Sequence, residues 1–143
     1  MLVKRYDEVA PTTYDSGRSG VTMREMITAS DGAPTFAMRV FDLAPGATTP
    51  YHHHPWEHEV FIVRGSGVVK SEHGDGLFAA GDTVFIAGNE PHSFVATDAV
   101  QFVCVLPAPT RRPRGCAPPR AAGAPAPRHP EAATGGEPGR GRP

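Results

Sequence analysis

Cysteine is almost missing from this chain, with two in 143 residues, so no disulfide framework can hold it and a reducing compartment is expected. Long apolar runs are missing too. The first ten residues set Lys4, Arg5, Asp7 and Glu8 among Leu2, Val3, Tyr6 and Val9. That mixture has neither the apolar centre of a signal peptide nor the length of a membrane span. A cytoplasmic protein with no membrane partner is expected. No stretch sustains a helical period, which directs the reading toward β-structure.

Aromatic residues are absent from residues 107–143, which instead hold ten of the sixteen prolines and six of the sixteen glycines. This region carries seven Arg against two Glu, and residues 1–106 carry seven Lys/Arg against thirteen Asp/Glu. A Pro, Ala, Gly and Arg segment buries too little apolar surface to offset the entropy of ordering it, so residues 109–143 are expected to be a disordered tail. Its arginines are scattered among prolines with no interleaved rings for base stacking, and no nucleic-acid partner is expected. The remaining 1–108 suit one domain with one core.

What is present is a series of short β-prone runs at 22–28, 36–43, 59–64, 67–71, 76–79, 83–87, 93–96 and 100–106. Turn chemistry separates them: Asp31-Gly32-Ala33-Pro34, Ala44-Pro45-Gly46, Gly65-Ser66-Gly67, Gly74-Asp75-Gly76, Ala80-Gly81-Asp82 and Gly88-Asn89-Glu90-Pro91. Short strands at this spacing predict an all-β sandwich or small barrel.

Within that frame, His52, His54 and His58 lie in one segment and His92 opens a later strand. Side chains alternate along extended backbone, so His52 and His54 share a face while His53 turns away. Past Pro55, His58 shares a face with Val60 and Ile62, and this places a metal site at one end of an apolar cavity. Isolated His73 and His129 are read as ordinary polar residues. Neutral imidazoles suit zinc, copper, iron, nickel and manganese, and four of them leave coordination positions for a ligand.

The region 46–96 resembles the two signature motifs of the cupin superfamily. Gly46, His52, His54, His58 and Gly65 match the first motif, with His58 where a glutamate is usual. Gly81, Ala87, Asn89, His92 and Ala96 match the second, with Ala87, Asn89 and Ala96 replacing the usual proline, glycine and asparagine. An alternative register takes Glu59 as the fourth ligand, but the closing Gly65 favours His58. Further likeness in 54–59, 33–39 and 102–107 is to small single-domain bacterial cupins with a four-histidine manganese site. The resemblance implies a cupin-type β-barrel, or double-stranded β-helix of jelly-roll form, over 1–108. It implies one divalent metal per chain on His52, His54, His58 and His92, manganese first, with iron, zinc, copper or nickel as alternatives.

Four neutral histidines leave a divalent ion its full charge, a stronger Lewis acid than one also held by a carboxylate. The function expected is a dioxygenase-like oxidoreductase acting on a small unsaturated or aromatic molecule. The alternatives are a non-oxidative isomerase or lyase, and a non-catalytic binding module. Pocket candidates are Tyr51, Trp56, Glu57, Val60, Ile62, Phe94 and Cys104. Tyr51 and Trp56 either stack on a ligand or close the core, and Cys104 either faces the pocket or is a small buried hydrophobe. A homodimer is expected, with residues 1–10 adding a strand to a neighbour's exposed edge.

Overall fold

The computed structural model describes residues 1–14 and 20–108; the expected tail at 109–143 lies outside them. Among the described residues nine strands form in chain order. They are β1 Thr12–Thr13, β2 Val21–Ile27, β3 Phe36–Leu43, β4 His58–Arg64, β5 Ser66–Ser71, β6 Gly76–Ala79, β7 Thr83–Ile86, β8 His92–Ala96 and β9 Val100–Pro107. All eight expected strands are present with ends within one residue, and β1 is an addition. His58 and His92 are each the first residue of their strand, so both ligand candidates sit where regular pairing begins.

Two antiparallel sheets close on each other, one of order β1-β2-β3-β9-β4-β7 and one of order β6-β5-β8. Alternation on β9 buries Val100, Phe102, Cys104 and Leu106, and β4 likewise buries His58, Val60 and Ile62. The interior is organised by aromatic rings: Phe41 stacks on Phe102 at 4.9 Å, Phe94 meets Phe102 at 4.8 Å, and Tyr14 stands edge-on to Phe41 at 4.9 Å. Each such buried ring contributes about 1.5–3 kcal/mol through the apolar area it removes from water.

One element was not legible as a strand. Residues 46–52 contain Pro50 and follow Pro45, yet they run along β8 through isolated bridges Thr48↔Val95 and His52↔His92. Backbone bonds from His52 N to His92 O at 3.1 Å and back from His92 N at 2.9 Å close the last bridge. Near its middle the buried Thr49 accepts the Phe94 N–H on Oγ1 at 2.9 Å. A side chain thus replaces a ladder bond where proline prevents a regular strand.

Two tight approaches set the corners. Gly65, the closing residue of the first motif, has φ +81° and lies against the Ala99 carbonyl where a Cβ would collide. Any Cβ at Gly88 would come within 2.5 Å of Pro55 O, so this glycine lets the loop before His92 press on the turn after His54. Beside it Asn89 adopts φ +66°, a left-handed conformation that asparagine tolerates better than most residues. The Asn89 N–H donates to His54 O at 2.6 Å.

Within its own chain the N-terminal segment forms no strand. Residues 1–10 hold a single 3-10 turn, Tyr6–Glu8, and are tied to their own domain. Tyr6 Oη bonds Asp42, Arg24 Nε donates to Val9 O at 3.0 Å, and Lys4 Nζ reaches Asp31 at 2.6 Å. These polar ties hold the segment on its own sheet. Among the described residues no helix is long and apolar enough to cross a membrane.

Candidate metal centre

The irregular segment before β4, the start of β4 and the start of β8 bring four imidazoles together. Ring centroids lie 4.7 Å apart for His52 and His92, 5.4 Å for His52 and His54, 5.2 Å for His54 and His92, 4.4 Å for His54 and His58, and 5.4 Å for His58 and His92. One ring nitrogen each from His52, His54 and His92 falls in a group within 4.8 Å of one another, so these three residues could bind a metal. The fourth, His58, sets its Nε2 2.7 Å from His54 Nε2. Two nitrogens held at about 2.1 Å from one ion at right angles lie about 3 Å apart, so this spacing is close to that of neighbouring ligands. His53 is exposed and turned away.

Backbone carbonyls choose the tautomers. His52 Nδ1 contacts Pro50 O at 2.9 Å, His54 Nδ1 contacts Trp56 O at 2.7 Å, and His92 Nδ1 contacts Glu90 O at 2.8 Å. Carbonyls only accept, so each Nδ1 carries the proton and each Nε2 presents its lone pair. His58 has no such carbonyl; its Nδ1 faces Cys104 Sγ at 3.2 Å. Facing the His54 Nε2 lone pair at 2.7 Å, His58 Nε2 carries the proton and its Nδ1 accepts from the thiol; to present Nε2 as a ligand His58 would switch tautomer and donate from Nδ1 to that sulfur.

Burial, opposed in part by these hydrogen bonds, lowers the His54 and His92 pKa from the usual imidazole value. Burial first, then the neighbouring histidines and Arg39, pushes His58 down to about 3. These rings stay neutral at physiological pH, and a neutral imidazole binds a metal without first releasing a proton. Burial also pushes the Cys104 thiol up to about 12, so it meets His58 as a thiol rather than a thiolate. The three anchored rings of His52, His54 and His92 fit a divalent cation with borderline nitrogen preference.

On the inner side lies a small cavity of about 30 Å³ lined by Tyr14, Phe41, Thr49, His52, His58, Val60, His92, Phe94, Phe102 and Cys104. Of the pocket candidates, Val60, Phe94 and Cys104 are on this wall. Ile62 is completely buried and belongs to the core below it. Tyr51 and Trp56 are 56% and 42% exposed and do not line the cavity; Trp56 lies flat on His54, centroids 4.6 Å apart and planes 6° apart. Glu57 and Glu59 are exposed. Tyr14 and Phe41 also line the cavity; Tyr14 precedes the first expected β-run and Phe41 reads equally as core, so neither was marked by sequence. A larger depression of about 530 Å³ lies outside the barrel against residues 2–4 and β2, away from every histidine of the cluster.

Comparison with known proteins agrees with this architecture. Residues 39–106 match the family model described as a cupin domain. The polyketide cyclase RemF from Streptomyces resistomycificus is 29% identical, with 78% of this chain and 82% of that one covered and a TM-score of 0.70. A cupin-2 domain protein from Rhodospirillum rubrum is 25% identical over 84% and 82% of the two chains, TM-score 0.66. A predicted oxalate decarboxylase from Thermotoga maritima shares the fold at 24% identity over 75% and 99%, TM-score 0.65. No curated protein matches the chain significantly. The double-sheet barrel, the match over residues 39–106 and these structural neighbours together make the body of this chain similar to cupin-domain proteins.

Proposed function

We propose that this protein is a metal-dependent, dioxygenase-like oxidoreductase whose centre is a divalent ion, manganese or iron in the cell, held by His52, His54, His58 and His92. One observation carries the reading: three carbonyl-anchored imidazoles and the His58 ring converge beside a gas-sized apolar cavity. A space of about 30 Å³ takes a diatomic molecule or a water or two, and its phenylalanine and valine wall offers little to hold water. When bound, the ion supplies Lewis acidity and places for oxygen and for a small unsaturated or aromatic substrate.

The chain's own residues do the rest. The carbonyls of Pro50, Trp56 and Glu90 orient three rings. Cys104 orients the fourth. Val60, Phe41, Phe94 and Phe102 exclude water from the inner side. Protein purified without added metal is expected to contain manganese or iron, and the loaded protein to consume oxygen with catechol-like, flavonol or styrene-type compounds. Zinc at full occupancy with no oxygen uptake over that panel would overturn the proposal.

A second reading is favoured by one observation, the 29% identity to a polyketide cyclase. In a non-oxidative reaction the ion polarises a carbonyl, and Tyr14 and Cys104 put an O–H and an S–H on the cavity wall for proton transfer. Turnover that persists without oxygen selects this reading. For the assembly we keep the cytoplasmic homodimer, now through the outer face of the large sheet. Val103, Val105, Phe61 and Phe85 share that face by register, and Phe61 and Phe85 are 49% and 65% exposed. An apolar patch on the wet side of an antiparallel sheet favours a partner. A light-scattering mass equal to one chain would refute it.

A further inference from the structure

Among the inward positions of β3, Ala37, Phe41 and Leu43 are buried apolar residues, and between them stands Arg39. Its cross-strand partner on β9 is Cys104, and neighbours in register project from the same face. Arg39 therefore rises beside the thiol that touches His58. A cation at this position breaks the apolar alternation of the strand.

Its hydrogen-bonding capacity is unused among the described residues. Nε is buried without a partner, although the side chain as a whole is 25% exposed. The nearest carboxylate, Glu25 Oε1, stays 3.8 Å from Nη2, beyond hydrogen-bond length. Glu25 faces Arg39 in register on β2 but is half exposed, so its pull is screened. A buried donor left without an acceptor is costly, and guanidinium geometry suits a carboxylate or another planar oxyanion held by two parallel bonds.

The surroundings point the same way. Four neutral histidines leave a divalent ion uncompensated, and Glu57 and Glu59 stand exposed at the surface, with only Glu59 near enough for its charge to act on Cys104. The guanidinium rises beside the Cys104 that meets His58, and the one carboxylate paired with it among the described residues is the half-exposed Glu25. We propose that Arg39 is a positioning residue for the oxyanion of a small acid, a carboxylate or enolate that also reaches the metal, so that the site selects anions over neutral molecules of the same shape. The inference rests on the four-histidine metal centre proposed above and narrows its substrate class to small unsaturated acids.

The test uses full-length protein loaded with manganese, with pyruvate and its neutral isostere pyruvamide as probes. Affinities come from calorimetry and coordination from the manganese resonance spectrum. Wild type is expected to prefer pyruvate by about tenfold or more, the size of one charge-assisted contact. Arg39→Gln should reduce that preference to about twofold while keeping wild-type metal content by elemental analysis, and Arg39→Lys should restore part of it. Glu25→Gln, which removes the competing carboxylate, should tighten pyruvate binding and serves as the deciding variant if Arg39→Gln does not fold. An unchanged preference in a metal-replete Arg39→Gln, weaker pyruvate binding in Glu25→Gln, or no preference in metal-loaded wild type would overturn the role of Arg39 alone. A wild type that takes up no metal would overturn the metal centre and this inference with it.

Discussion

Three of the four histidines are held by their own neighbourhood, and one is held from across the fold. His52, His54 and His92 each bond a carbonyl two residues away in sequence. His58 instead meets Cys104, 46 residues distant. A local anchor forms whenever the short loop adopts its turn, so the tautomer comes with the backbone. The distant anchor exists only once β4 and β9 pair, through the register Val60↔Cys104. His58 thus couples the site to the closure of the large sheet, while the other three couple it to the 46–56 segment and β8.

The sharpest break of this contrast is deletion of a ligand from each class. His92→Ala and His58→Ala are each expected to weaken metal binding by more than about 100-fold, since loss of a ligand exceeds the 10–100-fold cost of losing an outer partner. Elemental analysis after dialysis against a weak chelator reads this directly. Retained metal in His58→Ala would make the centre a three-histidine site.

Next in size is the anchor itself. Cys104→Val keeps the buried volume nearly constant but removes the sulfur, and should cost about tenfold in metal affinity. Because valine packs much as cysteine does, the thermal midpoint should stay within a few degrees. A large drop in midpoint with unchanged affinity would show that Cys104 only fills space.

Protonation sharpens the comparison further. The His58 pKa falls from 6.5 to about 3 on folding, so below pH 6.5 the unfolded chain binds the proton that the folded chain refuses. Stability from this group is complete above 6.5 and is lost progressively as pH falls toward 3. Metal-free wild type should lose thermal midpoint over that window, and His58→Gln should lose less. Equal slopes in both proteins would assign the acid sensitivity to His54 and His92, whose pKa values burial also lowers.

The smallest effect expected is none. Glu59 is exposed on the outer side of β4, and Glu59→Ala should leave metal content unchanged. Metal loss in that variant equal to His58→Ala would put the carboxylate on the ion and reverse the register argued from Gly65.

Much of the centre was legible because its information is local. The one-residue spacing of His52 and His54 and the shared face of His58, Val60 and Ile62 follow from alternation, and the all-β body follows from turn residues between period-two runs. Other parts are relations between distant segments. The 46–52 segment looked broken by Pro45 and Pro50 until β8 supplied its partners and Thr49 supplied the missing acceptor. Trp56 reads as a pocket aromatic, yet the turn after His54 lays it flat on that ring. Nor does the order of residues along β3 reveal that Arg39 lacks an acceptor.

By itself the sequence determined which side chains face inward along each strand, since alternation is a property of single extended segments. It also determined that His52 and His54 share one face of the segment before β4 while His53 turns away. Only tertiary structure decided where those rings converge, which carbonyl or thiol sets each tautomer, and how small the adjoining cavity is. Those depend on the register and separation of strands far apart in the chain, distances that no short window of residues specifies.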